Sequence, residues 1–191
     1  MHPPCAGFFC LEKSNANHRA ATAADPPKPA ECGFFCAWSL TMTIQNARGV
    51  RSNNPGNIDY NPRNQWEGQL GLEVGVPKPR FARFDTAENG IRALGKLLLN
   101  YRGKDGMPGV GKPGIDTPLE FISRWAPSNE NNTQAYAAAI AKRLGVGLRD
   151  SINMADPNTL RETVLGIIVH ENGGNPYPDV VVEEGLRRAL K

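Results

Sequence analysis

Apolar residues return every three to four positions through four stretches of the second half of the chain, and each stretch opens on a helix-start signal. Ile91, Leu94, Leu98 and Tyr101 form one stripe, preceded by Asp85-Thr86-Ala87-Glu88, which has the form of a capping box. Ile122 and Trp125 follow Thr117-Pro118-Leu119-Glu120, which combines an N-cap residue, a Pro in the first turn and a Glu at the third position. Pro127 must end that helix. Tyr136, Ile140 and Leu144 recur at four-residue spacing after Asn132 and Thr133, and Gly145 stops them. Leu160, Val164, Ile167 and Ile168 follow Asp156-Pro157 and run up to Gly173-Gly174. A fifth periodic stretch, from Asp179 to Leu190, is weakened by Gly185 in its interior.

The region from Arg48 to Phe84 has a different texture. Asn53-Asn54-Pro55-Gly56-Asn57 is a turn-forming run, since Pro fixes φ while Gly and Asn tolerate left-handed backbone. Ile58, Tyr60, Trp66, Phe81 and Phe84 then predict short extended pieces or a small hairpin. Small mixed pieces followed by helices make the expected fold α+β and predominantly α.

Residues 1–42 hold all four cysteines, in two copies of a short pattern, Cys5-Ala6-Gly7-Phe8-Phe9-Cys10 and Cys32-Gly33-Phe34-Phe35-Cys36. A linker-like stretch rich in Ala, Pro and Asn separates them. The gaps of four and three residues, with no finger or ribbon pattern nearby, argue against a zinc site. Redox pairing of the repeats stays open and unassigned. The segment reads as a disordered or non-native extension, with Met42-Thr43-Ile44 as a plausible original start, ahead of one domain over residues 43–191.

Charge narrows the function classes. A net charge of +3 suits an anionic surface such as a bacterial wall, but it falls short of the dense basic stripe of a nucleic-acid binder. No run approaches the ~18–20 apolar residues of a membrane span, and the opening residues lack the layout of a secretory signal. A zinc-helix motif, a Gly-x-Ser-x-Gly elbow and a phosphate-binding Gly-x-x-x-x-Gly-Lys run are all missing, so no metal or other cofactor is implied.

Against this background Glu171 is out of place. At about 100° per residue, the eleven steps from Leu160 return the side chain to within about 20° of the same direction. Glu171 therefore continues an apolar stripe in the last turn of its helix. Desolvation and the negative end of the helix dipole both favour its protonated form. A protonated carboxyl near neutral pH is what glycoside cleavage needs, because the leaving oxygen must receive a proton. The competing reading is a solvated Glu, or one paired with an arginine such as Arg187. His170, about 100° off the stripe, belongs at the cleft rim or in solvent.

The run Arg48-Gly49-Val50-Arg51-Ser52-Asn53-Asn54-Pro55-Gly56-Asn57-Ile58, then Trp66-Glu67-Gly68, Phe81-Ala82-Arg83-Phe84-Asp85 and Gly90-Ile91-Arg92-Ala93-Leu94, resembles a group of phage and prophage virion-associated, lysozyme-like proteins. The match continues through Arg124-Trp125-Ala126-Pro127, Glu130-Asn131-Asn132-Thr133, Tyr136 and His170-Glu171-Asn172-Gly173. Members of that group are described either as virion structural proteins or as peptidoglycan hydrolases. The Asn-rich run with Trp66-x-Gly68 is also similar to bacterial cell-wall glucosaminidases, in which the catalytic Glu ends a helix that precedes such a run. Here the Glu ending a helix comes late, so the resemblance implies a circularly permuted lysozyme-like arrangement.

The implied function is a muramidase or lytic transglycosylase acting on peptidoglycan strands, with Glu171 as general acid and Glu130 as its rival. The alternative is a non-catalytic virion structural or glycan-binding protein. The resemblance further implies that Asn53, Asn54 and Asn57 bind acetamido groups, or shape the turn instead. Tyr60, Trp66 and Tyr136 stack on sugar or contact hydroxyls, or pack in the core, and Asn172 joins the substrate site beside Glu171. Trp125, on an apolar stripe, is assigned to the core ahead of the sugar. Arg51 pairs with a Glu or with a lactyl carboxylate. No second carboxylate stands out, which leans toward one-carboxyl transglycosylase chemistry. The expected setting is a monomer in a virion, or in the cytoplasm with delivery to the wall, alongside other virion proteins.

Overall fold

The computed structural model describes residues 44–105, 110, 113–128 and 132–191. Residues 1–43, with the four cysteines, and Glu130 lie outside the described residues. A short helix α1 (Arg48–Arg51) leads through the Asn-rich turn to an antiparallel pair, β1 (Gln69–Leu72) and β2 (Ala82–Phe84). Five helices follow: α2 (Ala87–Tyr101), α3 (Pro118–Trp125), α4 (Thr133–Leu144), α5 (Pro157–Asn172) and α6 (Asp179–Ala189). The chain is α+β and predominantly α, as its periodicity predicts.

Most start and stop signals operate where the sequence puts them. Thr117 and Glu120 close a reciprocal capping box on α3, and Asn132 and Asp156 cap α4 and α5. Gly145 and Gly173 end α4 and α5 in left-handed backbone. The expected box at Asp85 and Glu88 is displaced by one residue. Thr86 is the N-cap and accepts from the Asn89 N–H, while the Asp85 carboxylate takes the Thr86 N–H and the Asn89 side chain. Two adjacent cap-forming residues competed for one role, and the extended backbone of Thr86 decided it.

The apolar stripes meet in one core containing Phe84, Ile91, Leu94, Leu98, Phe121, Ile122, Tyr136, Ile140, Leu160 and Ile167. The most extensive helix pair is α2 with α6, followed by α3 with α4 and α4 with α5. Gly185 weakens nothing in this setting. A Cβ there would lie 2.6 Å from Ile91 Cγ2 and 2.9 Å from the Glu88 carbonyl, so its absence lets α6 settle against α2.

The hairpin is pinned to α1 by a charge that periodicity does not reveal. Glu73, almost fully buried, accepts a 2.7 Å hydrogen bond from Arg48 Nε and further bonds from the Arg80 and Phe81 N–H groups. These donors, Arg48 first, hold its carboxyl far below the usual range, at about 2. Among the described residues no helix is long and apolar enough to cross a membrane.

Candidate functional site

The Asn-rich turn is held in shape by its own side chains. Asn54, fully buried, donates to the Ile58 and Ala82 carbonyls and accepts from the Ile58 N–H. Asn53 donates to the Phe84 and Asp85 carbonyls. The turn rests directly on α2, where a Cβ at Gly90 would lie 1.8 Å from the Asn53 carbonyl oxygen. Asn53 and Asn57 both adopt positive φ, near +50°, which Asn tolerates better than other side-chain-bearing residues.

The turn is joined to the end of α5. Asn172 donates to the Pro55 carbonyl, and the neighbouring Glu171 is met from the same side: Asn57 Nδ2 donates to Glu171 Oε2 at 3.0 Å. From α4, the Tyr136 hydroxyl donates to Glu171 Oε1 at 3.2 Å. Burial, and then the Glu171 charge, push the Tyr136 phenol well above its ordinary range, so it stays protonated and remains a donor. The Trp125 side chain hydrogen-bonds the same hydroxyl. The exposed His170 ring stacks on Tyr136 with centroids 3.5 Å apart and planes 13° from parallel.

Glu171 is half-buried and held by two neutral donors, and among the described residues no cation pairs with it. Arg187, a potential partner, is engaged instead by Glu184 at 2.7 Å. Each carboxylate oxygen keeps a second lone pair beside the hydrogen bond it accepts.

A cleft of ≈ 480 Å³ opens at Glu171. One wall comes from the strand-like segment after the turn, with Asn57, Asp59, Arg80 and Phe81, and the other from the end of α3, with Arg124 and Trp125. Of the residues assigned to the site from sequence, Glu171 and Asn57 line this cleft, and Tyr136 lies beneath it on the Glu171 carboxylate. Asn53, Asn54 and Asn172 are loop anchors that do not line it. Tyr60 and Trp66 are partly buried against the core, away from the lining, and Arg51 is exposed elsewhere. Trp125, assigned to the core by its stripe, both packs there and forms cleft wall.

Asp59, Arg80, Phe81 and Arg124 escape a sequence reading. Asp59 is a second carboxylate in the cleft, held by Arg80 through hydrogen bonds of 2.7 Å and 3.2 Å. The Asp59–Phe81 bridge that aligns these residues joins segments more than twenty positions apart, and no local periodicity marks it.

Comparison with known proteins finds a phage relative. The chain is 34% identical over 148 residues to "Protein P5" of Pseudoalteromonas phage PM2, an alignment covering 76% of this chain and 84% of that protein. No family model matches the chain.

Proposed function

The chain belongs to the family of Protein P5 of Pseudoalteromonas phage PM2, and from that premise we propose that it is a peptidoglycan-degrading glycosidase with Glu171 as general acid. The observation that carries this reading is the Glu171 carboxyl, set at a cleft wall between the Asn57 amide and the Tyr136 hydroxyl. Such fixed neutral donors hold a carboxyl in one orientation at the cleft. Trp125 and Phe81 supply aromatic groups to a cleft whose remaining lining mixes polar and apolar residues, which suits pyranose rings with apolar faces and hydroxyl edges.

In the proposed reaction a glycan strand lies along the cleft, and protonated Glu171 gives its proton to the glycosidic oxygen as the C–O bond breaks. The resulting carboxylate then takes a proton from the attacking nucleophile, either water or the sugar's own 6-hydroxyl. Asp59 is the other carboxylate among the described lining residues, and both its oxygens are engaged by Arg80. That engagement favours the 6-hydroxyl route, which needs one carboxyl only.

The lysozyme-like, permuted arrangement belongs to the same proposal. It is supported by a late helix that ends in Glu171 and packs on an early Asn-rich turn, the reverse of the chain order in the glucosaminidases. Digestion of purified sacculi, followed by mass analysis of the soluble fragments, tests the function. Anhydro-ended muropeptides are the expected product. Reducing ends would assign the water route, and a folded protein that releases nothing would overturn the enzymatic reading in favour of a structural or glycan-binding virion protein.

A further inference from the structure

Arg124 sits in the last turn of α3, exposed, on the same cleft as Glu171. Its guanidinium lies over the Tyr101 ring, 5.5 Å from the centroid. Among the described residues it has no carboxylate partner. Arg48, Arg80, Arg92, Arg161 and Arg187 each have one. The other cation of the cleft, Arg80, is matched by Asp59. An arginine held by its flat face on an aromatic ring keeps its N–H edges for a planar anion. Glu171, in its charged form, would repel an anion bound nearby, and an uncompensated guanidinium lining the same cleft offsets that repulsion.

We propose that Arg124 is an anion-recognising subsite that makes the cleft select carboxylate-bearing glycan over neutral glycan, a proposal that rests on the reading of the cleft as a glycan site. Two groups of peptidoglycan offer that chemistry: carboxylates of the stem peptides, and the lactyl carboxylate exposed once a stem peptide is removed. Both present a planar anion that a guanidinium can grip through two parallel hydrogen bonds.

The test is a binding assay with the full chain in a Glu171→Gln background, which keeps the polymer intact. Arg124, Arg124→Gln and Arg124→Lys forms are compared by sedimentation on insoluble chitin and on intact sacculi, and by fluorescence anisotropy on the soluble glycan strands that an amidase releases by removing the stem peptides. The parent is expected to bind sacculi at least about tenfold more tightly than chitin, and Arg124→Gln to lose about that factor on sacculi alone. Arg124→Lys should fall between them, since it keeps the charge and loses the fork. An Arg124-dependent preference confined to intact sacculi identifies the stem-peptide carboxylates, and Arg124-dependent binding of the stripped strands identifies the lactyl group as well. Equal binding of sacculi by the parent and Arg124→Gln would overturn the subsite and leave the glycosidase reading standing. A folded parent that binds neither polymer would overturn both.

Discussion

Tyr136 carries much of the site's geometry while lying buried beneath the cleft. Its buried hydroxyl joins the Trp125 side chain to the Glu171 carboxylate, so one atom fixes that carboxylate relative to an aromatic wall. Tyr136→Phe keeps the ring in its core slot and removes that link. Loss of one hydrogen bond to a charged group costs about 1.5–2 kcal/mol, so kcat should fall about ten- to thirtyfold with KM little changed. Steady-state kinetics on a soluble muropeptide polymer checks the split, and a KM effect alone would mean that Tyr136 serves binding instead. Glu171 was legible in the sequence because a carboxylate broke an apolar stripe. The asparagines were not separable, because an amide that anchors a turn and one that faces a ligand look identical in a sequence. Only the fold shows that Asn54 satisfies buried backbone groups while Asn57, two residues before Asp59, turns to the Glu171 carboxylate.

The helices were the most legible elements, because their ends carry local chemistry that acts wherever the chain goes. The capping box of α3 and the left-handed glycines after α4 and α5 needed nothing beyond their own neighbours. Gly185 shows where local reasoning ends. Intrinsic propensity alone says Gly185→Ala should stabilise α6 by about 1 kcal/mol. The α2–α6 contact reverses the sign, since the new methyl group would meet Ile91 and the Glu88 carbonyl at under 3 Å. Overpacking of this kind costs about 1–3 kcal/mol, so a net loss of about 1 kcal/mol is expected in urea unfolding. A stabilised variant would show that α6 can move away from α2 without cost.

At the scale of the whole molecule, the decisive contact joins Asn57 to Glu171, 114 positions apart in the chain. No periodicity encodes such a pairing, and the cleft is assembled from segments far apart in the chain. The same is true of Arg48 and Glu73, which lock the hairpin against α1. The Glu73 carboxyl is held at about 2 in the folded protein, below its usual 4.5, so its contribution is present above pH 4.5 and is lost as pH falls toward 2. Glu73→Gln should therefore destabilise the protein by about 2 kcal/mol at pH 7, with the gap to the parent closing as pH drops through that window. Urea midpoints at pH 7 and pH 3 measure this, and a gap that stays constant with pH would show that the pair contributes through packing alone.

The central claim is that Glu171 is the acid of a wall-cleaving cleft, and turbidity of a sacculus suspension tests it most directly. The full chain and its Glu171→Gln variant, matched by thermal unfolding to confirm that both are folded, are added to purified peptidoglycan. The account predicts clearing by the parent and a rate at least about a thousandfold lower for the variant, since the leaving oxygen would lack its proton donor. Clearing at comparable rates by both proteins would contradict it and move the chemistry away from Glu171.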